Sequence, residues 1–149
     1  MKEKQSSVSF FTENGLYLAF GTALIATLGS LYFSEIREFI PCTFCWYQRI
    51  LMYPLVLLLA IAAVKKDYRI TIYTLPMSVL GIAVSLFHYL TQKVDLFKSN
   101  VPSCGIIPCN ESYVNYFGFV TIPFMAFTAF MIITFLLIMT ARAAKRQAA

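Results

Sequence analysis

The sequence predicts an all-α integral membrane protein, a four-helix transmembrane bundle with both termini in the cytoplasm. Hydrophobic residues make up 59% of its 149 residues and charged residues only 13%, which is far from the balance of a soluble domain. The apolar residues form long unbroken runs, without the periodicity that gives a soluble helix or strand one polar face. The basic residues cluster between and beyond these runs. Together these observations favour lipid around most of the chain.

Four apolar runs cover residues 16–33, 42–64, 70–90 and 116–140. Each is long enough to cross a hydrocarbon layer of about 30 Å at a helical rise of about 1.5 Å per residue. The first run is followed by Glu35 and Arg37 in place of a small-residue cleavage site, so we expect a retained span and not a secretory signal. Residues 50–64 are too short to span alone, and the second helix must therefore include residues 42–49. We expect one membrane domain over residues 1–149.

Lysine and arginine counts in the short loops predict the orientation of the bundle. Eight basic residues fall in the two tails and in the loop between spans two and three: Lys2, Lys4, Lys65, Lys66, Arg69, Arg142, Lys145 and Arg146. This side should be cytoplasmic, and all four cysteines then lie at the opposite, disulfide-permitting surface. The net charge of +5 is explained by this distribution and gives no reason to expect a nucleic-acid partner.

The first cysteine pair, Cys42 and Cys45, forms a C-x-x-C motif that opens the second span. On a helix its sulfurs share one face, close enough to form and break a bridge, and a helix N-terminus stabilises thiolates. Arg49 lies on the same face, deeper in the span, where a cation is costly and often functional. Arg49 either lowers the pKa of Cys45 or donates hydrogen bonds to a quinone, unless it only snorkels to the head groups. Trp46 and Tyr47 either pack against such a ring or anchor the helix at the interface.

The second pair, Cys104 and Cys109, lies in a predicted outer redox loop over residues 91–115. A bridge between them closes a very small ring, which adds little constraint to the unfolded chain. Strained and exposed bridges are the labile ones. The loop pair is therefore better suited to exchange than to holding the fold together.

The segments at 41–49 (PCTFCWYQR), 101–109 (VPSCGIIPC) and 117–124 (FGFVTIPF) resemble the DsbB family of disulfide bond formation proteins, most closely its short BdbC branch. The resemblance implies a quinone-dependent thiol–disulfide oxidoreductase of the bacterial plasma membrane. It would reoxidise an extracytoplasmic DsbA- or BdbD-like thioredoxin-fold thiol oxidase and pass the electrons to menaquinone or ubiquinone, supporting disulfide formation in secreted proteins.

The same resemblance assigns roles to individual residues. Cys104 would be attacked by the partner, with Cys109 as its bridge partner, while Cys42 exchanges with the loop pair and Cys45 faces the quinone. Arg49 matches the quinone-site arginine of that family, and we expect Gln48 and His88 to take part in the same site. Gln48 stands where some members carry an acid, and only four residues separate the loop cysteines, fewer than in the longer branch.

Several alternatives remain open at this stage. His88, the single histidine, either donates to a quinone oxygen and carries its protons or only packs near the end of span three. The four cysteines could instead form two structural disulfides in a non-catalytic membrane protein. A four-thiolate zinc site is disfavoured by the spacing of the loop pair and by the oxidising compartment, so no metal is expected. Electron flow in the opposite direction would make a reductase. A vitamin K epoxide reductase relative would carry its motif on the last span, not the second.

Overall fold

The computed structural model describes residues 2–94, 117 and 120–148, with side chains from residue 14 to residue 146. These residues form four long helices: α1 (Lys2–Leu31), α2 (Thr43–Lys65), α3 (Thr71–Lys93) and α4 (Ile122–Ala148). A π-helical turn, Tyr32–Ile36, continues α1, and a 3-10 turn, Tyr68–Ile70, precedes α3.

All four helices are long and apolar enough to cross a membrane, which confirms the predicted all-α membrane fold. The candidate spans are Asn14–Ile36, Thr43–Lys65, Tyr68–Lys93 and Ile122–Arg146. The 23 residues of α2 correspond to about 34 Å of helix, enough to cross the hydrocarbon layer. The side of the membrane on which the termini lie stays a prediction.

The helices form a ring in which each packs against two neighbours: α1 on α2, α2 on α3, α3 on α4, and α4 on α1. The core of the ring is apolar side chains from α1, α2 and α4. In α2 they are Met52, Leu55, Leu59 and Ala62, which recur every three or four residues and so share one face. Apolar residues on the opposite faces are exposed, among them Leu57 at 67%. This outward apolar surface suits a lipid environment.

The face that α3 turns to the bundle is made of small and polar residues. Thr74, Ser78 and Ser85 are fully buried, and each hydroxyl donates to a backbone carbonyl three or four residues earlier in the chain. A methyl group at Gly81 would overlap the ring of Phe130 on α4. Small residues let membrane helices approach closely where no hydrophobic force drives them together. Gly81 therefore sets the distance between α3 and α4.

Two short connections bring the chemistry to one end of the bundle. Residues 37–42 reverse the chain between α1 and α2, and Lys66, with φ of 53°, ends α2 in a left-handed conformation before α3 begins. The end of α1, the start of α2, the end of α3 and the start of α4 thus meet at what we call the cysteine end. Lys65, Lys66 and Arg69 lie at the other end, as the charge distribution predicts.

Candidate redox site at the cysteine end

The two sulfurs of the C-x-x-C motif face each other across the start of α2. Cys42 is the N-cap residue, with extended backbone (φ −72°, ψ 171°), and Cys45 lies in the first helical turn. Their Sγ atoms are 3.2 Å apart, and the Cys42 thiol donates to Cys45. The sequence suggests that both cysteines are helical; instead, Cys42 stands one residue before the helix. Its carbonyl still accepts from the Trp46 N–H at 3.2 Å, which ties it to the first turn.

Cys42 lies one residue before the candidate membrane span Thr43–Lys65. The hydrogen bond to Cys45, followed by burial, raises the pKa of the Cys42 thiol to about 12, although the contact with His88 acts in the opposite direction. This direction is opposite to the thiolate stabilisation that a helix N-terminus alone would give.

His88 and Gln48 form a buried polar contact with this pair. The Nε2 atom of His88 is 3.5 Å from the Cys42 Sγ, and its Nδ1 atom is 3.1 Å from the Gln48 Nε2. The two residues are 1% and 6% exposed, and the Phe44 ring lies 5.4 Å from the imidazole, centroid to centroid. Three of the predicted site residues, Cys42, Gln48 and His88, are therefore in contact where α2 packs against α3. His88 lies beside the sulfur atoms and does more than fill space between the helices.

Arg49 reaches across to α1. Its Nε atom donates to the Ser30 Oγ and its Nη2 atom to the Ser30 carbonyl, both at 3.0 Å. The guanidinium also lies 5.6 Å from the Trp46 ring centroid, within the range of a cation–π contact. These contacts hold Arg49 inside the bundle end, whereas snorkelling would direct it to the head groups. Ser30 carries only a weak signal in the sequence, because hydroxyl residues are common wherever membrane helices pack.

A cavity of about 520 Å³ connects these groups. Cys42, Cys45, Gln48, Arg49 and His88 all line it, and apolar residues of α1, α2 and α4 supply most of its remaining wall. Its volume lies within the ~300–1,000 Å³ typical of small-molecule sites, which are mostly apolar with a few polar groups. The arrangement can therefore hold a flat apolar molecule against the sulfurs.

Two further hydroxyls on the cavity wall were not singled out from the sequence. The Tyr53 Oη and the Thr121 Oγ1 are buried atoms with no hydrogen-bond partner among the described residues. A buried hydroxyl without a partner is costly, and a ligand that accepts hydrogen bonds would relieve that cost.

The aromatic residues beside Arg49 do not line the cavity. Trp46 and Tyr47 are 53% and 50% exposed, which favours the anchoring role over contact with a bound ring. Cys104 and Cys109 lie outside the described residues, as does residue 95 onward of the predicted loop 91–115, so their roles stay predictions.

Comparison with known proteins gives one consistent result. The family model of "Disulfide bond formation protein DsbB" matches residues 13–141. A probable disulfide formation protein C 1 of Bacillus anthracis is 57% identical over 121 residues, which cover 81% of this chain and 87% of that protein. Disulfide bond formation protein C of Bacillus subtilis is 57% identical over 118 residues, 79% of this chain and 86% of that protein. A probable disulfide formation protein of Oceanobacillus iheyensis is 50% identical over 137 residues, which cover 91% of this chain and 94% of that protein.

No solved structure matches the chain significantly. The family match and the relatives agree with the resemblance found in the cysteine motifs, and they imply a thiol–disulfide oxidoreductase role. The chain therefore belongs to the DsbB family of disulfide bond formation proteins, and its relatives include the disulfide formation proteins C.

Proposed function

We propose that this protein reoxidises an extracytoplasmic thioredoxin-fold thiol oxidase and passes the electrons to a membrane quinone, menaquinone or ubiquinone. One observation carries the quinone half of the proposal: the Cys42/Cys45 pair and Arg49 line the same apolar cavity. The partner half rests on family membership and on the second cysteine pair in the sequence.

The thiol half of the reaction is a sequence of exchanges that conserves two electrons. The partner's dithiol reduces the Cys104–Cys109 disulfide and leaves as a disulfide. A thiolate of the loop pair then attacks the Cys42 Sγ of the Cys42–Cys45 disulfide, and Cys45 departs as a thiolate. Attack by the second loop thiolate on the mixed disulfide restores the loop bridge and frees Cys42, which takes up a proton.

The cavity residues fit a quinone. A bound quinone supplies a two-electron, two-proton acceptor, so the dithiol can return to the disulfide. Its two carbonyl oxygens are hydrogen-bond acceptors, and Arg49, together with the unpartnered Tyr53 and Thr121 hydroxyls, offers donors around the apolar space. His88, 3.5 Å from the Cys42 Sγ, is placed to receive the thiol proton, and Gln48 holds the imidazole by its other nitrogen.

The proposal is tested by following quinone absorbance with two electron donors. The purified chain in detergent micelles receives a soluble quinone analogue and either a reduced thioredoxin-fold oxidase or a small dithiol that can reach Cys42 without the loop pair. Cys45→Ser should abolish quinone reduction with both donors. Cys104→Ser should abolish it only with the protein donor. Absence of quinone reduction by the wild type with either donor, or full activity of Cys45→Ser, would refute the proposal.

The role of Arg49 is tested separately with Arg49→Gln. Losing a charged donor to the quinone costs about 1.5–3 kcal/mol, so the KM for quinone should rise about 10- to 100-fold. Arg37→Gln is the matched control, because Arg37 lies at the same end of the bundle, is exposed and does not line the cavity. An unchanged KM in Arg49→Gln, or the same rise in Arg37→Gln, would contradict the assignment.

A further inference from the structure

The dithiol form of the site brings three metal-ligating atoms together. The ligand atoms of Cys42, Cys45 and His88 all lie within 4.8 Å of one another. The two Sγ atoms are 3.2 Å apart, and the Cys42 Sγ is 3.5 Å from the His88 Nε2. In a tetrahedral zinc site, bond lengths of about 2.3 Å to sulfur and about 2.0 Å to nitrogen place sulfur atoms about 3.8 Å apart and sulfur about 3.6 Å from nitrogen. These two separations differ from the ideal ones by about half an ångström or less, whereas the distance from the Cys45 Sγ to the imidazole, which is within 4.8 Å, shortens by up to about 1 Å when the metal binds.

The imidazole is also held as zinc-binding histidines are. A ligating histidine usually donates its other ring N–H to a neighbouring acceptor, which fixes the tautomer and the ring orientation. The Gln48 side chain lies 3.1 Å from the His88 Nδ1, and rotating its amide by half a turn places the oxygen there. The Nδ1–H then donates to Gln48, and the Nε2 lone pair points to the sulfurs. Both residues are buried, so the contact between them is shielded from water.

The fourth coordination position opens to the cavity. Among the described residues, no fourth cysteine, histidine or carboxylate joins the cluster, while both sulfurs and the imidazole line the 520 Å³ space. Three protein ligands with one position left for water are typical of open zinc sites, whereas structural sites close the shell with a fourth protein ligand. This arrangement points to zinc that is bound reversibly and exchanges with chelators.

We propose that the reduced Cys42/Cys45 pair and His88 form a Zn²⁺ site that arrests the protein in its dithiol state. Binding replaces two thiol protons by one Zn²⁺, releases those protons and transfers no electrons. The disulfide form has no thiolates to offer and cannot bind the ion in this way. Bound zinc therefore withholds the two electrons of the dithiol from any acceptor. Zinc binding itself does not depend on the proposed quinone reaction; only its inhibitory effect does.

Spectroscopy with Co²⁺ tests the site without any enzymatic readout. The double variant Cys104→Ser/Cys109→Ser leaves Cys42 and Cys45 as the remaining cysteines. Reduced and free of oxygen in micelles, it should bind one Co²⁺ per chain, with thiolate charge-transfer and tetrahedral d–d bands that Zn²⁺ abolishes. The oxidised protein should show neither band. A reduced protein without tetrahedral bands would overturn the proposal.

Variants of His88 and Gln48 distinguish a site in which the imidazole is a ligand from one in which only the two thiolates bind the metal. In that background, His88→Ala should lower Zn²⁺ affinity by about 100-fold or more, and Gln48→Leu by about 10- to 100-fold, as expected for loss of an outer partner. His88→Cys should retain metal binding and show a stronger charge-transfer band from a third thiolate. Retained binding in this variant would show that the loss in His88→Ala comes from the missing ligand and not from misfolding. Ser85→Ala, one turn away on α3 and off the cavity wall, is the control and should bind as the parent does. Equal affinity in the parent and His88→Ala would overturn the proposal.

The inhibitory consequence has its own measurement. Zn²⁺ should stop quinone reduction by a small dithiol, with excess EDTA restoring it and His88→Ala requiring a higher zinc concentration. Zinc that binds without slowing the reaction would overturn the arrest. If the protein reduces no quinone at all yet shows the cobalt spectrum, the proposed function fails while the metal site stands.

Discussion

The close approach of α3 and α4 at Gly81 gives the sharpest stability prediction. A methyl group added there overlaps three atoms of the Phe130 ring, which is fully buried, so the ring must shift toward the cavity that it lines. Overpacking of this kind costs about 1–3 kcal/mol. Replacing a helical glycine by alanine returns about 0.5–1 kcal/mol. We therefore expect Gly81→Ala to destabilise the protein by about 1 kcal/mol.

This free energy can be read as a shift in the midpoint of thermal unfolding. For a chain of about 150 residues, 1 kcal/mol corresponds to about 3 °C, so Gly81→Ala should lower the midpoint by about 3 °C. The fluorescence of Trp46, the single tryptophan, reports the transition in detergent micelles. Adding Phe130→Leu to the Gly81→Ala variant removes the ring and should recover at least half of the loss in midpoint temperature. Such recovery would assign the cost to this contact.

A second glycine serves as the control. A methyl group built at Gly21 on α1 has nothing within 4 Å, so Gly21→Ala should raise the midpoint slightly through its better helix propensity. The described contact between α3 and α4 is wrong if the unfolding midpoint of Gly81→Ala is at or above that of the wild type. It is also wrong if Gly21→Ala lowers the midpoint as much as Gly81→Ala does.

The remaining predictions concern single contacts. The Thr134 hydroxyl donates to the Ser78 hydroxyl at 3.0 Å, and a double-mutant cycle with alanine should give a coupling of about 0.6 kcal/mol; no coupling would contradict the contact. Lys66→Gly should raise the unfolding free energy by about 1 kcal/mol, because glycine adopts the left-handed conformation without penalty, whereas Lys66→Ala should not. Ser30→Ala removes one of the two hydrogen bonds that Arg49 donates to Ser30, so it should raise the quinone KM about 5-fold at unchanged kcat. A rise in KM larger than that of Arg49→Gln would contradict the view that Ser30 acts on the quinone only by positioning Arg49.

Much of the fold follows from the sequence, because lipid leaves few solutions to a chain with four long apolar runs. The helices of the bundle and the placement of Cys42 and Cys45 at the opening of α2 needed no tertiary information. The start of α4 was less well defined: residues 116–121 extend the apolar run, yet the described helix begins at Ile122. Hydropathy marks where a chain is apolar and does not mark where its backbone becomes helical.

The site was harder to predict where it depends on how two helices pack. Arg49 and His88 drew attention as rare polar residues in apolar spans, but the sequence cannot show that one meets Ser30 and the other meets Cys42. Those contacts depend on the rotation and depth of α1 and α3 relative to α2, which side-chain packing sets. The sequence predicts Gln48 in the quinone site, at a position where some family members carry an acid, but its contact with the His88 Nδ1 follows only from the packing of α2 against α3.

The extended backbone of Cys42 has a mechanical consequence. Oxidation must shorten the 3.2 Å gap between the sulfurs to about 2 Å, and reduction must reopen it. Cys45 belongs to the hydrogen-bonded first turn, but Cys42 stands ahead of it, where its side-chain torsion can turn while its carbonyl keeps the hydrogen bond from the Trp46 N–H. The change in the sulfur–sulfur distance during each redox cycle can therefore be accommodated by one residue, Cys42, at the start of α2. The four packed helices then serve as a stationary frame, and turnover need not deform the bilayer around them.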